Sequence, residues 1–278
     1  MSNPFAELDS YSLGSDNSIP SEAIASLNTD GVVCLRNVFG PYWLATLERG
    51  IESALNGAST DLDIVKRDTD KGSFSFSSGA WAQVEEFRKV IFESHFADIG
   101  WSLLQSRRLT LFYDFLLIKQ PFSSSAATPW HQDHSYYPLD GVDVINCWVA
   151  LDDIPYESAL RFQKGSHLEG QLYRAVDFEN PNNAYRHARE HLPLIPGESE
   201  QGTILTTELK AGDMLAWKSY TVHSAPGNSL DQRRAAFSVN WLGDDVVFNG
   251  AASLETYRHE SQVIGQPIAC DKFPIVRE

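Results

Sequence analysis

From residue 109 onward, the chain is a series of short apolar segments separated by turn-forming residues. The segments are rich in β-branched and aromatic residues, which is typical of strands, and glycine, proline or aspartate stands near their ends. This pattern restricts the fold more than any other feature, because so many short strands must pair with one another in sheets. The predicted strands cover residues 109–121, 142–151, 202–209, 212–219 and 233–243.

Helical patterns precede this series of strands. Ser21 has the character of an N-cap, Gly31 is suited to end the first helix, and Pro41 is suited to open the second. Helices followed by many strands predict a mainly β (α+β) fold, with helices packed outside a β-sandwich or barrel. The predicted helices cover residues 21–27, 41–55 and about 82–105, and a strand is predicted over 32–38.

The length of the chain favours one large domain. The polar residues 1–18 predict a flexible lead-in, and residues 19–278 predict a single domain with a substantial core. Residues 177–200 are polar and too many for a simple hairpin, which favours a lid over an active site.

The charge balance excludes two classes of partner. With 22 basic and 37 acidic residues, the formal net charge is 22 − 37 = −15. A nucleic acid or an anionic membrane surface would repel such a chain. A small-molecule partner is expected instead, and no apolar run is long enough to span a bilayer.

The three cysteines predict neither a disulfide framework nor a zinc knuckle. Cys34, Cys147 and Cys270 are far apart in the sequence, and the first two lie in apolar runs, where a thiol acts as a small buried hydrophobe. The N-terminus lacks the apolar core of a signal peptide. A reducing, cytoplasmic location is the simplest expectation.

One short motif carries candidate chemistry. In Trp130-His131-Gln132-Asp133, an imidazole and a carboxylate are two residues apart, and strand alternation puts them on the same face. A single H-x-D also occurs by chance, and most histidines are surface or core groups. With His223, about ninety residues later, the set becomes two histidines and one carboxylate, which is the facial triad of non-haem Fe(II).

An arginine follows this set at an informative position. Arg234 comes eleven residues after His223, at the start of a predicted strand. A guanidinium there could clamp a dicarboxylate through two parallel hydrogen bonds. Alternation along the strand sends the neighbouring Arg233 to the opposite face.

Eight short segments of the sequence, taken in order, are similar to motifs of the phytanoyl-CoA dioxygenase family of Fe(II)/2-oxoglutarate oxygenases. The resemblance runs from about residue 20 to 245 and is carried by DGVVCLRNVF, LLIKQP, WHQD, VINCWVALDD, KGSH, GDMLAW, VHSAPGNS and RRAAFSVNWL. It implies a double-stranded β-helix, the cupin-like jelly roll, with helices outside it. It further implies Fe(II) bound by His131, Asp133 and His223, with 2-oxoglutarate as cosubstrate and O2 as oxidant.

The resemblance also implies roles for residues around the metal. Arg234 matches the arginine that binds the distal carboxylate of 2-oxoglutarate. Trp148 matches a tryptophan lining the cosubstrate pocket, although it is equally an ordinary core aromatic. Gln132 matches a position near the cosubstrate, unless it faces the other side of the strand. The family commonly has Gly-Ser after the distal histidine, whereas this chain has Ser224-Ala225, so Ser224 is the candidate for a hydroxyl that assists the cosubstrate.

Three residues after the H-x-D motif are candidates for substrate contact. His134 invites a second interpretation, as the fourth ligand of a zinc hydrolase, but alternation turns it away from Asp133 and leaves it a substrate-side or outer group. Tyr136 and Tyr137 either contact substrate or pack under the lid. His167, in the KGSH turn, is expected to be structural.

The predicted activity is oxidation of a C–H bond, by default hydroxylation, with release of succinate and CO2. Halogenating relatives lack the metal-binding carboxylate, so Asp133 predicts oxygenation. Desaturation, epoxidation and ring formation would use the same residues, and a non-catalytic binding jelly roll or a zinc hydrolase are the alternatives. Aromatic-rich segments near Phe74–Phe76, Tyr136–Tyr137 and Trp241 favour a small apolar or aromatic substrate, such as a secondary metabolite.

Overall fold

Strands dominate the regular structure, and helices precede the long strand that begins at Leu109. The computed structural model describes residues 5–60, 62–65, 71–124, 126–178, 191–198 and 202–278. Its α-helices are α1 (Ser21–Asp30), α2 (Pro41–Ser53), α3 (Glu85–Glu93) and α4 (Phe96–Leu104). Its strands are β1 (Ala6–Glu7), β2 (Ser10–Ser12), β3 (Val32–Arg36), β4 (Leu62–Val65), β5 (Phe74–Ser78), β6 (Leu109–Lys119), β7 (Thr128–His131), β8 (Leu139–Asp140), β9 (Val144–Ala150), β10 (Arg161–Gln163), β11 (Ile204–Thr206), β12 (Met214–Lys218), β13 (His223–Ala225), β14 (Arg234–Leu242), β15 (Val247–Phe248) and β16 (Ile275–Arg277).

Two sheets build the core of the molecule. The larger sheet has the order β2-β3-β12-β9-β14-β6-β5-β4, with β16 beside β6, and the smaller has the order β1-β11-β10-β13-β7. Apolar residues of both sheets, among them Phe162, Leu205 and Leu215, share one buried cluster, so the sheets face each other. The predicted mainly β jelly roll with external helices is confirmed.

The central strands of the larger sheet are buried on both faces. Along β14, Ala235, Phe237, Val239 and Trp241 pack with the helices, whereas Arg234, Ala236 and Ser238 face the smaller sheet. This arrangement explains why these strands read as nearly continuous apolar runs. Trp241 therefore belongs to the core beneath α4, and the prediction that it marks the substrate region is wrong. None of the helices in the described part of the chain has the length and apolar character needed to cross a bilayer.

The helix boundaries differ from the predictions in two places. Helix α1 starts at Ser21 itself, with Pro20 at the N-cap and no capping side chain, and it runs to Asp30 before Gly31 (φ 85°) ends it. The helical region over 82–105 is two helices, because Ser94 is extended and its hydroxyl accepts a hydrogen bond from the Phe96 N–H at 3.1 Å.

Part of the predicted lead-in is ordered in sheets. Residues 6–7 pair in parallel with β11, and residues 10–12 pair in parallel with β3. A flexible lead-in over 1–18 is therefore wrong for these residues. The predicted lid, 177–200, lies largely outside the described residues, since 179–190 and 199–200 are among those not described.

An acidic group is buried between the larger sheet and the helices. Asp114 of β6 is fully buried, and its Oδ1 accepts a hydrogen bond from the Trp81 N–H at 3.2 Å. Its Oδ2 has no hydrogen-bond partner among the described residues. Burial raises the pKa of Asp114 to about 7, although the Trp81 N–H opposes this shift.

We predict that Asp114 makes the protein less stable as the pH rises. The pKa of the folded state lies above that of the unfolded state, so its contribution is present in acid and is lost as the pH rises through about 7. Between about pH 4.5 and about pH 7.5, the wild type should lose roughly 2 to 4 kcal/mol relative to Asp114→Asn. Urea unfolding at both pH values measures this difference. The exposed Asp231→Asn is the control, and parallel pH profiles for wild type and Asp114→Asn would contradict the prediction.

Candidate functional site

The H-x-D motif lies at the end of a strand. His131 is the last residue of β7, Gln132 is extended (φ −113°, ψ 134°), and Asp133 opens a short 3-10 turn. The motif is thus only partly in the strand, but the extended Gln132 preserves the predicted consequence of alternation. The side chains of His131 and Asp133 converge, with Nε2 and Oδ1 3.5 Å apart.

His223 joins this pair through strand pairing. It is the first residue of β13, which pairs with β7 and places His223 directly opposite His131. Its Nε2 lies 3.7 Å from Oδ1 of Asp133. One potential ligand atom from each residue lies within 4.8 Å of the others, so these three residues could hold a metal ion.

Hydrogen bonds orient each of the three groups. The Nδ1–H of His131 donates to the Pro129 carbonyl and that of His223 to the Thr221 carbonyl, both at 2.9 Å, which leaves both Nε2 lone pairs free for a metal. The Trp217 indole N–H donates to Oδ2 of Asp133 at 2.9 Å and leaves Oδ1 free. Two imidazoles and one carboxylate held in this way fit Fe(II) well.

The ionisation states suit the same role. Burial, and then the nearby His131, lowers the pKa of His223 to about 4, so its imidazole is neutral. Burial opposes the ionisation of Asp133, but His223 and His131 outweigh it and hold the pKa of this carboxyl below its usual range. Neutral imidazole and ionised carboxylate are the forms that bind metals.

Two buried cations lie side by side in the same cavity. Arg234 begins β14 and is opposite Lys119, the last residue of β6. Lys119 Nζ donates to the Pro226 carbonyl at 3.0 Å, and Nε of Arg234 has no partner among the described residues. Burial lowers the pKa of Arg234 to about 10, and burial together with Arg234 lowers the pKa of Lys119. No carboxylate in the described part of the chain pairs with either, so this end of the cavity is suited to an anion.

Arg233 points away from the cavity, as strand alternation predicts. Its guanidinium forms ion pairs with Glu48 and Asp152 on the helix side of the larger sheet, at 2.5 and 2.9 Å. Arg234 therefore differs from its neighbour in both direction and pairing, and it is the one available to a ligand.

A cavity of about 1590 Å³ contains the triad and the cations. Four of the predicted residues besides these line it: Trp148, Ser224, Tyr136 and Tyr137. Its walls are strongly aromatic, and Phe74, Phe76, Phe115 and Phe178 contribute to them. The Phe178 ring lies 4.8 Å from that of His131, so an aromatic wall reaches the metal ligands themselves.

Gln132 and His134 do not line the cavity. The Gln132 amide donates to the carbonyls of Tyr220 (2.8 Å) and Gln171 (3.0 Å) and accepts from the Tyr173 N–H (2.9 Å). Neither side chain reaches the cavity, so Gln132 is not placed to contact the cosubstrate, and His134 is not placed to contact the substrate. Gln132 ties the turn before His223 to the H-x-D motif, which is a positioning role.

His134 and His167 are bonded within the framework. His134 Nε2–H donates to the Leu139 carbonyl, and its Nδ1 accepts from the Ser219 hydroxyl. The Nε2–H of His167 donates to the carbonyl of Asn28 near the end of α1, which agrees with the structural role expected of His167.

Three residues of the site were not anticipated from the sequence. Lys119 ends an apolar strand, where a cation is unusual enough to have served as a signal. Trp217 and Asn146 lie inside strands and looked like ordinary members of them. Only the register of β12 and β9 brings their polar atoms to the cavity.

Comparisons with known sequences identify a family and a relative. A family model described as Phytanoyl-CoA dioxygenase (PhyH) matches residues 27–236. A protein of Arabidopsis thaliana with the name phytanoyl-CoA dioxygenase is 24% identical over 166 residues. That match covers 57% of this chain and 53% of the relative, so it spans about half of the relative's length.

Solved structures share the fold. The carbocyclase SnoK from nogalamycin biosynthesis, described as non-heme and alpha ketoglutarate dependent, is similar with a TM-score of 0.75 and 21% identity, over 95% of this chain and 99% of that one. The epimerase SnoN of the same biosynthesis has a TM-score of 0.71 and 24% identity, over 92% and 98% of the two chains. EctD from S. alaskensis has a TM-score of 0.63 and 18% identity, over 87% and 82%.

We predict that Trp217→Phe weakens metal binding. The variant keeps an aromatic ring but loses the N–H that holds Asp133, and loss of such an orienting bond typically lowers metal affinity by about tenfold to a hundredfold. Anaerobic calorimetric titration with Fe(II) measures the change. Trp101→Phe is the matched control, because the Trp101 indole donates to the Ser106 carbonyl, away from the site. Equal affinities of Trp217→Phe and wild type would show that Asp133 needs no such support.

Proposed function

The chain belongs to the phytanoyl-CoA dioxygenase family, and we propose that it is an oxygenase that uses Fe(II), 2-oxoglutarate and O2 to oxidise a small molecule. One observation carries this proposal. The oriented metal-binding set of His131, Asp133 and His223 shares a cavity with two buried cations that lack a carboxylate partner among the described residues. A metal ligand set alone would suit several reactions, whereas a dicarboxylate cosubstrate accounts for both features.

His131, Asp133 and His223 would hold the iron, and three coordination positions would remain for ligands. With 2-oxoglutarate and O2, the iron would supply an oxidant strong enough for a C–H bond, and the 2-oxoglutarate would leave as succinate and CO2. The protein holds both imidazoles with Nε2 inward and the carboxylate ionised. SnoN has been solved in complex with Fe3+, alpha ketoglutarate and nogalamycin RO, which supports the same cofactors here.

Arg234 and Lys119 would bind the distal carboxylate of 2-oxoglutarate. A guanidinium offers two parallel N–H donors to a carboxylate, and the adjacent ammonium adds a second positive charge. Trp148 lies beneath, with its ring 5.9 Å from the guanidinium, and would form the wall along the cosubstrate. Ser224, which lines the cavity next to His223, would place its hydroxyl near the same ligand.

Substrate would occupy the aromatic part of the cavity. Tyr136 is held by the backbone of Val176, through bonds of 2.8 and 3.1 Å, and Tyr137 also lines the cavity. These walls favour an apolar or aromatic small molecule and would exclude water from the reacting C–H bond. Hydroxylation is the proposed outcome, while ring formation or epimerisation, the activities named for SnoK and SnoN, would use the same metal site.

The alternatives explain fewer of the observations. A zinc hydrolase or a non-catalytic jelly roll has no use for Arg234 and Lys119 beside a metal-binding triad. The acyl-CoA substrate in the family's name is not carried over, because a net charge of −15 disfavours a ligand with several phosphates. A single domain over 19–278 and a cytoplasmic location stay predictions.

We predict that the protein forms the visible charge-transfer complex of Fe(II) and 2-oxoglutarate. Anaerobic titration should develop a weak absorption band, and admission of O2 should then give succinate. Asp133→Ala should lose both, because the carboxylate completes the ligand set. Absence of the band in the wild type, or full succinate formation by Asp133→Ala, would refute the proposed function.

We predict that Arg234→Met raises the KM for 2-oxoglutarate by about tenfold to a hundredfold, because a charge-assisted bond is worth roughly 1.5–3 kcal/mol. Succinate formation at varied 2-oxoglutarate concentrations measures it. Arg233→Met is the matched control, since this neighbour pairs with Glu48 and Asp152 outside the cavity and should alter stability but not KM. A higher KM in the control and not in Arg234→Met would reverse the assignment.

A further inference from the structure

One amide in the cavity lacks hydrogen-bond partners. Asn146, in the middle of β9, is 7% exposed and lines the cavity. Its Oδ1 is buried without a partner, and its Nδ2 has none among the described residues either. A buried polar group left unpaired is destabilising, so such a group calls for a ligand or a water molecule.

Asn146 belongs to a polar row that crosses the larger sheet. By strand register, Tyr113, Asn240, Asn146 and Trp217 lie side by side on β6, β14, β9 and β12. The indole at the end of this row donates to Asp133. Asn146 is therefore one strand away from the side chain that orients a metal ligand.

A chain of hydrogen bonds sets the orientation of the neighbouring amide. The Tyr137 hydroxyl donates to Oδ1 of Asn240 at 3.1 Å, and the hydroxyls of Tyr113 and Tyr137 are 2.8 Å apart. Asn240 thus keeps its Nδ2 as a donor, and this atom has no partner among the described residues. Asn146 and Asn240 are paired across β9 and β14, so an Asn146 amide with Oδ1 on the Asn240 side would present its Nδ2 to the cavity.

The cosubstrate is too short to reach this amide from the cation pair. Arg234 and Asn240 are six residues apart on β14, which corresponds to roughly 20 Å of strand. 2-Oxoglutarate has five carbons joined by bonds of about 1.5 Å, and with one carboxylate on Arg234 it ends well before Asn146. A ligand that reaches Asn146 must therefore be a different molecule.

We infer that the Asn146 carboxamide is a substrate-recognition group, which donates a hydrogen bond to a carbonyl or hydroxyl oxygen of the substrate. This rests on the proposed function, since it takes the second occupant of the cavity to be the substrate. The aromatic walls receive the apolar body of that molecule, and Asn146 fixes the position of its oxygen relative to the Asp133 side of the metal. The substrate class is then an oxygenated, mainly apolar ring compound.

Matched ring compounds test this inference. Tetralin, 1-tetralone and 1-tetralol have the same carbon skeleton and differ only in the oxygen group. Their dissociation constants are measured with the anaerobic Fe(II)/2-oxoglutarate protein, through quenching of tryptophan fluorescence, since Trp148 and Trp217 line the cavity. Comparing ratios between protein variants cancels the different solvation of the probes.

The expected result is a loss of discrimination in Asn146→Leu. The preference for 1-tetralone over tetralin should fall by about fivefold to tenfold relative to wild type, with tetralin binding little changed. Asn146→Asp, which has no N–H, should reject 1-tetralone but still accept 1-tetralol, whose hydroxyl can donate. Ser238→Ala is the control on the same sheet face, because the Ser238 hydroxyl already donates to the Phe115 carbonyl.

The outcomes separate this inference from the proposed function. An unchanged ratio in Asn146→Leu, or no binding of any probe, would overturn the inference and leave Asn146 satisfied by Asn240 or by trapped water. Failure of the wild type to form the charge-transfer band would instead refute the proposed function. The preference for 1-tetralone over tetralin can also be measured in metal-free protein. If it again falls in Asn146→Leu, the substrate contact of Asn146 is supported independently of the iron chemistry.

Discussion

The site depends on the pairing of β7 with β13, because this short antiparallel contact places His223 directly opposite His131. Neither strand contributes much apolar area, so other contacts must hold the register. Gln132, between His131 at the end of β7 and Asp133 in the following turn, donates to the Tyr220 carbonyl just before β13. The residue inside the H-x-D motif thus joins the two halves of the ligand set. In each histidine, a bond from Nδ1 to a nearby carbonyl turns Nε2 inward before any metal binds.

The opposite end of the cavity carries an electrostatic cost that an anionic ligand would relieve. Burying Arg234 beside Lys119 places two positive charges in a region of low dielectric, where no described carboxylate offsets them. If stability alone mattered, each of these two cations would have a carboxylate partner, as Arg233 has in Glu48 and Asp152. The contrast between two consecutive arginines is what supports the proposal that Arg234 binds the cosubstrate.

Local rules were sufficient where the local structure is regular. Strand alternation correctly separated Arg233 from Arg234, and the order of helices and strands correctly indicated a jelly roll with helices outside it. The same rule turns Gln132 and His134 away from Asp133, as observed, whereas the expected cosubstrate contact of Gln132 came from the resemblance and does not fit its placement. Lys119, Trp217 and Asn146 were missed because their roles arise from register between distant strands, which no local pattern records. Trp241 was misplaced because a strand buried on both faces gives no sign of which face meets the cavity.

The two sheets contribute different parts of the candidate site. The smaller sheet supplies both histidines, on β7 and β13, whereas inward-facing positions of the larger sheet supply the cation pair, Trp148 and Asn146. Because alternate positions on β9 and β14 face the helices, an inward residue can change without disturbing the core that supports the sheet. Selectivity and reaction outcome can therefore vary within this architecture while the metal ligands stay constant. This division accounts for how one shared fold can serve a carbocyclase and an epimerase.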